Sequence, residues 1–133
     1  MGDQPLSILL VEDAPVNREL AEIVLTRAGH SVQSVETGQA ALEALGAHEY
    51  DALALDIRLP DIDGLEIARK LRADPKTHDM PIVAITALAM KGDREAALEA
   101  GCDGYITKPV NTRTLAKDVA KIIAEAQKHR NTK

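Results

Sequence analysis

The sequence is poor in aromatic residues: it contains two tyrosines, Tyr50 and Tyr105, and no tryptophan or phenylalanine. Its core must therefore be built from leucine, isoleucine, valine and alanine. Proteins that bind single-stranded nucleic acid stack the bases on aromatic side chains, so the composition argues against that function. The net charge of −5 at pH 7 also gives no basis for binding nucleic acid or an anionic membrane surface.

Cysteine and long apolar runs are scarce as well. The single cysteine, Cys102, excludes an internal disulfide and favours a reducing compartment. It lies in the small-residue turn AGCDG without a neighbouring base, so we interpret it as a packed thiol and not as a nucleophile. No apolar run approaches membrane-spanning length, and no secretory signal pattern opens the sequence. We expect a cytoplasmic protein.

The length of 133 residues is that of one domain with a substantial core. We predict a single domain over residues 1–133, with an ordered part at about residues 5–127 and short polar tails. The basic residues near the end are expected to form a solvated tail: Lys128, His129, Arg130 and Lys133.

Short apolar runs alternate with amphipathic stretches along the whole chain. The predicted strands are residues 6–11, 31–35, 52–57, 82–85 and 104–106, the second of them an edge strand. The predicted helices run from 15 to the capping Gly29, then over 38–45, 64–72, 93–99 (ended by Gly101) and 112–126. Five strands alternating with five helices predict a doubly wound parallel α/β sheet with right-handed crossovers.

Helical spacing also predicts which side chains face the core. In the first helix these are Val16, Leu20, Ile23 and Val24; in the second, Ala41, Leu42 and Leu45; in the third, Leu65, Ala68 and Leu71; in the last, Leu115, Val119 and Ile122.

Charged side chains follow three of the predicted strands at their carboxyl ends. Glu12 and Asp13 follow the first strand, Asp56 lies near the end of the third, and Lys108 follows the fifth. If these strands are parallel, the four side chains converge on the edge where open α/β sheets bind ligands. Crowded carboxylates repel one another and raise a pKa unless a cation lies between them. A hard divalent ion with oxygen ligands is the natural candidate.

Each of these residues taken alone has an ordinary structural explanation. An acidic pair often caps a helix, an aspartate often ends a strand, and Lys108 or Thr86 could be a plain surface lysine and a β-forming threonine. Together these explanations require several coincidences at the same edge of the sheet. The combined pattern therefore favours a functional site.

Four segments carry a family resemblance: VED (Glu12, Asp13), LDIRLPDIDG around Asp56, ITA with Thr86, and YITKP with Lys108. In this order and spacing they resemble the response-regulator receiver domain of two-component signalling, over nearly the whole chain. The resemblance implies a flavodoxin-like (βα)5 fold with strand order 2-1-3-4-5. It also suggests a stand-alone receiver, since no output domain follows the last predicted helix.

The resemblance assigns a phosphoryl acceptor and a metal site. Asp56 would accept a phosphoryl group from a phosphohistidine on a histidine kinase or a histidine phosphotransfer protein. Mg²⁺ would be bound by Asp13, Asp56 and the backbone carbonyl of Arg58, and by Glu12 through water. Arg58 departs from the Met or Asn frequent at this position in the family, which would alter the lifetime of the phosphoryl group.

Further roles are implied for the ends of the last two strands. Lys108 and the hydroxyl of Thr86 would bind phosphoryl oxygens, helped by the backbone N–H of Ala87. The bond between Lys108 and Pro109 would be cis. Thr86 and Tyr105 would form the switch: as the hydroxyl moves towards the phosphoryl group, the tyrosine ring turns inward. Leu88 would line the mouth of the site and affect water access.

The resemblance also places the output surface on the fourth helix, the Tyr105 strand and the last helix. We expect a downstream protein to bind there, with the receiver a monomer or a weak phosphorylation-dependent dimer, and the sequence does not separate output from phosphate relay. The domain would not be an enzyme beyond modifying Asp56. One alternative is a receiver-like adaptor that is never phosphorylated. A Mg²⁺-dependent phosphohydrolase is disfavoured because Arg58 stands where such enzymes need an acid.

Overall fold

The computed structural model describes residues 5–87 and 91–131, and the expectations for Leu88 and Lys133 lie outside this part. Strands and helices alternate along the described chain. The strands are β1 Ser7–Val11, β2 Ser31–Val35, β3 Ala52–Asp56, β4 Ile82–Thr86 and β5 Gly104–Thr107. The helices are α1 Pro15–Arg27, α2 Gly38–Ala47, α3 Gly64–Ala73, α4 Lys91–Glu99 and α5 Leu115–Asn131.

The strands form one parallel five-stranded sheet in the order β2-β1-β3-β4-β5. This confirms the doubly wound fold expected from the sequence. The register pairs Val11 with Leu55 and Asp56 with Ile85, so that the carboxyl ends of the central strands lie level. All five residues of β3 are buried, whereas β2 is partly exposed at the edge, as expected.

Alternate residues of each strand point to opposite faces of the sheet, and each face carries its own core. One core, beneath α2, α3 and α4, includes Leu9, Val11, Leu53, Leu55, Ile67 and Ala97. The other, beneath α1 and α5, includes Ile8, Leu10, Ala52, Ala54, Leu25 and Val119. Helices cover both faces, which explains why the central strands read as continuous apolar runs.

The predicted inner face of α1 is only partly right: Val24 packs against the core beneath α1 and α5, but the other three predicted residues are exposed. Val16 is 78% exposed, Leu20 36% and Ile23 43%, whereas Ala21 and Leu25 are buried against the sheet. The helix contacts the sheet partly through the small residue Ala21, which the spacing of the large apolar residues does not predict. As a result, α1 presents a row of apolar side chains to solvent.

The other helices agree more closely with their predicted faces. Ala68 and Leu71 of α3 are buried, but the third contact is made by Ile67, with Leu65 only partly buried. In α5, Ile123 is buried more fully than the predicted Ile122. The glycines predicted to end two helices both have positive φ, Gly29 at 103° and Gly101 at 112°, a conformation that favours glycine.

The start of α5 also differs from its prediction, at Leu115 instead of residue 112. Asn111 forms a turn before it: its side chain accepts a hydrogen bond from the backbone N–H of Arg113, and its carbonyl accepts from Leu115. Among the residues described, no helix combines the length and apolar character needed to cross a bilayer.

Candidate functional site

The residues singled out at the strand ends lie together at the carboxyl edge of the sheet. Glu12 and Asp13 directly follow β1, and Asp56 is the last residue of β3. Thr86 is the last residue of β4, and Lys108 directly follows β5. Since all the strands are parallel, every one of these side chains leaves the sheet at the same edge.

Lys108 joins the two buried carboxylates of the site. Its ammonium nitrogen lies 2.5 Å from Oε1 of Glu12 and 3.0 Å from Oδ2 of Asp56. Each of the two acidic residues is only 4% exposed. Charge-assisted hydrogen bonds of this kind are about twice as strong as neutral ones, so Lys108 compensates much of the cost of burying two carboxylates.

The second oxygen of each buried carboxylate is held by the backbone. The N–H of Ala14 donates to Oε2 of Glu12 at 3.1 Å, and the N–H of Arg58 donates to Oδ1 of Asp56 at 3.0 Å. Each carboxylate is therefore bound on one side by an ammonium group and on the other by an amide. This arrangement fixes the orientation of both groups.

Burial and charge act on the proton affinities of the site. Burial raises the pKa of Glu12, and the nearby charge of Asp56 acts in the same direction, while the hydrogen bonds from Lys108 and Ala14 oppose the rise. For Lys108, burial acts to lower the pKa, but hydrogen bonds to Glu12 and Asp56 and their charges raise it overall. The ammonium group is therefore charged at neutral pH.

An excess of negative charge remains at the edge of the site. Oxygen atoms of Glu12, Asp13 and Asp56 lie within 4.8 Å of one another, and Asp13 is exposed at the mouth. One ammonium group faces three carboxylates, so the cluster can accommodate a further cation. Carboxylate oxygens of which some are open to solvent suit Mg²⁺, which takes few protein ligands and keeps several waters.

An arginine that the sequence reasoning missed supports the acidic pair. The guanidinium of Arg18 donates to the backbone carbonyls of Glu12 at 3.1 Å and of Asp13 at 3.4 Å. It also lies 3.9 Å from the carboxylate of Glu36. The sequence signal that could have indicated this role is the position of Arg18, one turn into the helix that follows the two acidic residues.

The ends of β4 and β5 are tied together beside the carboxylates. The N–H of Lys108 donates to the carbonyl of Thr86 at 2.8 Å, and the peptide bond between Lys108 and Pro109 is cis. The side chain of Thr86 is fully buried, whereas Ala87 is exposed. Thr86 and Lys108 are thus backbone neighbours at this edge, and the Lys108 ammonium reaches Asp56.

Tyr105 lies on β5 with its ring packed against the core beneath α2, α3 and α4. Its hydroxyl is buried and finds no hydrogen-bond partner within the described part of the chain. Burial raises the pKa of Tyr105, and the charge of Asp93 on α4 adds to the rise. A buried hydroxyl without a hydrogen-bond partner carries a desolvation cost.

Two open clefts border these residues. One, of about 570 Å³, is lined by Asp13 and by the loop from Ile57 to Asp63, including the exposed Arg58. The other, of about 510 Å³, lies along β5 between α4 and α5 and includes Tyr105. The first is bordered by Asp13 at the mouth of the site, and the second lies on the face expected to bind an output partner.

The chain belongs to the response regulator receiver domain family, which it matches over residues 8–120. It is therefore a receiver domain of two-component signalling, and the resemblance seen in the four segments is confirmed. Among its relatives is the polar-differentiation response regulator DivK of Brucella anthropi, 32% identical over 122 residues that span 92% of this chain and 99% of DivK.

Solved receiver structures share its fold. The receiver domain of a Pseudomonas aeruginosa sensor histidine kinase, with a magnesium ion coordinated in its active-site cleft, is 38% identical with a TM-score of 0.81, covering 91% of this chain and 99% of that one. A CheY-like receiver domain protein from Methanospirillum hungatei is 27% identical with a TM-score of 0.84, covering 95% and 99%. The flavodoxin-like fold is thereby confirmed.

Proposed function

We propose that this receiver accepts a phosphoryl group on Asp56 from a phosphohistidine of a histidine kinase or a histidine phosphotransfer protein, in the cytoplasm and with Mg²⁺. One observation carries the proposal. Asp56 ends the central strand, its carboxylate lies 3.0 Å from the Lys108 ammonium, and two further carboxylates lie beside it. An acceptor, a fixed cation and a set of metal ligands are thus brought together at one point.

The metal ligands proposed for Mg²⁺ are Asp13, Asp56 and the backbone carbonyl of Arg58, with Glu12 acting through water. The oxygen-only cluster and its excess negative charge support this assignment. The magnesium ion in the related Pseudomonas receiver domain supports it as well. When bound, the ion supplies positive charge for the phosphoryl oxygens.

Phosphoryl transfer to Asp56 needs little acid–base chemistry. A carboxylate oxygen of Asp56 forms a bond to phosphorus while the phosphorus–nitrogen bond of the phosphohistidine breaks and the departing imidazole keeps the electron pair. Lys108 binds one phosphoryl oxygen as a point charge, and the hydroxyl of Thr86 and the N–H of Ala87 donate to others. The acceptor is consumed in each event, so the domain acts as a substrate and switch and not as an enzyme, apart from loss of the group by hydrolysis.

Two surfaces near the site support the proposal of two protein contacts, one with the phosphoryl donor and one with a downstream protein. The apolar row Val16, Leu20 and Ile23 begins beside Asp13 and offers the phosphohistidine protein a face next to the mouth. The cleft along β5 offers a downstream protein a face that includes Tyr105, whose ring and Thr86 would form the switch. We propose that the domain acts as a monomer or a weak phosphorylation-dependent dimer.

Alternative functions have less support. A receiver-like adaptor would not need the ion-paired acceptor, and the chain keeps Asp56, Asp13 and Lys108 together. A phosphohydrolase with Asp56 as nucleophile would need an acid at the position of Arg58, whose side chain is exposed and cationic.

The test is intact-mass spectrometry after incubation with acetyl phosphate. With Mg²⁺ we expect the mass of one added phosphoryl group, and none after Asp56→Asn or in excess chelator. Asp51→Asn is the matched control, because Asp51 precedes the same strand at the opposite edge of the sheet, where its carboxylate accepts a hydrogen bond from Ser7. Equal labelling of the Asp56→Asn protein would overturn the proposal.

A further inference from the structure

The loop between β3 and α3, residues 57–63, is attached to the start of another helix. The carboxylate of Asp61 accepts a hydrogen bond from the N–H of Gly38 at 2.8 Å on one oxygen and from the N–H of Gln39 at 2.9 Å on the other. Both donors belong to the first turn of α2, more than twenty residues away in sequence. Asp61 therefore connects two elements that local sequence does not relate.

The start of α2 is divided between two capping groups. Thr37, which precedes the helix, accepts a hydrogen bond from Ala40 through its hydroxyl, and its carbonyl accepts from Ala41, both at 3.1 Å. The remaining two amides of the first turn donate to Asp61. A carboxylate at this end is favoured by the helix dipole, and the hydrogen bonds from Gln39 and Gly38 lower the pKa of Asp61.

The loop packs tightly on the end of the helix as well. A Cβ at Gly38 would lie 2.9 Å from Cδ1 of Ile67, 3.0 Å from Cβ of Ile62 and 3.3 Å from Oδ1 of Asp61. Glycine at this position is what allows the loop to come so close. The approach of the carboxylate is thus part of a packed contact and not a chance meeting of exposed groups.

The same loop forms one wall of the candidate site. Its base is closed by the N–H of Gly64, which donates to the carbonyl of Ile57 at 2.9 Å, and by a bridge between Arg58 and Asp63. Its tip is held on α2 by Asp61. Between these attachments lies Arg58, whose N–H orients Asp56 and whose carbonyl is a proposed metal ligand.

We propose that Asp61 is a positioning residue for the Mg²⁺ site: by holding the tip of the loop on α2, it fixes the Arg58 backbone relative to Asp13 and Asp56. This inference rests on the proposed function, since it concerns the same metal site. Asp61 acts through the loop and does not itself bind the ion, because both of its oxygens are engaged by amides of α2.

A purely structural role for Asp61 makes a different prediction. As a helix cap alone, its loss would weaken α2 as much as the loss of the other cap does. Thr37→Ala removes that other cap and leaves both hydrogen bonds between Asp61 and α2 in place. Comparing the two variants separates the stability of α2 from the position of the loop.

The experiment is calorimetric titration of the metal-free protein with Mg²⁺, for wild type, Asp61→Ala, Asp61→Asn and Thr37→Ala. We expect the Mg²⁺ dissociation constant to rise roughly tenfold in Asp61→Ala, as for loss of other groups that orient metal ligands. It should rise less in Asp61→Asn, which keeps one acceptor oxygen, and stay unchanged in Thr37→Ala. Saturating Mg²⁺ should restore the rate of labelling by acetyl phosphate in the Asp61 variants.

Far-ultraviolet circular dichroism establishes that each variant is folded, and Asp61→Asn carries the test if Asp61→Ala does not fold. Wild-type affinity in the folded Asp61 variants, or an equal loss in Thr37→Ala, would overturn the positioning role and leave the proposed function intact. A wild-type protein that binds no Mg²⁺ would overturn the proposed function and this inference with it.

Discussion

Lys108 determines the charge state of the site at the scale of single residues. It is the shared partner of Glu12 and Asp56, and its side chain is only 15% exposed. A buried carboxylate that loses its partner carries a large desolvation cost, so the three groups depend on one another. Lys108 also competes with a metal ion for the same two acidic groups, since both are cations.

We predict that Lys108→Met lowers the free energy of unfolding by about 3 kcal/mol at pH 7, because Glu12 and Asp56 are left as buried charges. Mg²⁺ should offset part of this loss, and Mg²⁺ affinity should not fall, whereas labelling by acetyl phosphate should. Urea unfolding, with and without Mg²⁺, measures the first effect, and titration with Mg²⁺ measures the second.

Lys117→Met is the control for that prediction, since Lys117 is an exposed lysine on α5. It should leave stability, Mg²⁺ affinity and labelling close to those of wild type. Equal losses of Mg²⁺ affinity and labelling in Lys108→Met would contradict the assignment of Lys108 to a phosphoryl oxygen.

Cys102 gives a pH-dependent prediction. Burial raises the pKa of its thiol to about 11, so between pH 9 and 11 the unfolded chain loses this proton while the folded protein keeps it. The folded state binds more protons there, and stability falls as pH rises. Between pH 8 and 11 wild type should lose about 2 kcal/mol relative to Cys102→Ala, measured by urea unfolding. A difference independent of pH would contradict the burial of this thiol.

At the scale of elements, α1 is unusual because its large apolar residues face solvent. The sequence contains two overlapping stripes on this helix, one of Val16, Leu20 and Ile23 and one of Ala21 and Leu25. The spacing of the large apolar residues predicts that the first stripe faces the sheet, whereas in the structure the second stripe does. An alanine contact surface cannot be recognised from hydrophobic size alone.

We predict that the phosphohistidine protein contacts the exposed apolar face of α1. Leu20→Gln with Ile23→Gln should lower the free energy of unfolding by about 2 kcal/mol and leave the domain folded, since each side chain is only partly buried. Transfer from a phosphorylated histidine phosphotransfer protein that labels wild type should become slower, with labelling by acetyl phosphate unchanged. Rapid-quench transfer assays measure both rates.

Leu98→Gln on α4 is the matched control, because Leu98 is 43% exposed, the same as Ile23. It should transfer at the wild-type rate. A wild-type rate in the α1 variant, or the same slowing in Leu98→Gln, would remove α1 from the donor contact.

The junction of β3 with α3 provides a second prediction about elements. A Cβ at Gly64 would lie 2.7 Å from Cα of Ile57 and 2.8 Å from the carbonyl oxygen of Asp56, and neither backbone atom can move aside easily. Gly64→Ala should therefore lower the free energy of unfolding by about 2 kcal/mol. A Cβ at Gly46 in α2 would meet no atom within 4 Å among the described residues beyond its own helix backbone, so Gly46→Ala should be neutral or stabilise by up to about 1 kcal/mol. Urea unfolding compares the two, and equal effects would contradict the packing described.

At the scale of the whole molecule, the sequence predicts the alternation of strands and helices because each has a distinct apolar period. Convergence of Glu12, Asp56 and Lys108 could be expected, since residues after parallel strands meet at one edge. The strand order could not be predicted from the residues themselves, and only the family resemblance implies it.

Two contacts that support the site could not be predicted from the sequence, and the physical reason is the same for both. Arg18 and Asp61 both act through hydrogen bonds to the backbone of other segments. Such bonds depend on how loops and helix ends are placed by the complete fold, and no periodic pattern encodes them. The acidic cluster itself could be read from sequence because it follows directly from where the strands end.

The most direct test of the central claim is to locate the acyl phosphate in the chain. After labelling with acetyl phosphate and Mg²⁺, borohydride reduction converts a phosphorylated aspartate to homoserine, which peptide mass spectrometry can place. The proposed role of Asp56 predicts homoserine at position 56, with Asp13 unmodified. Homoserine at position 13, or none in a protein that has gained a phosphoryl group, would contradict it.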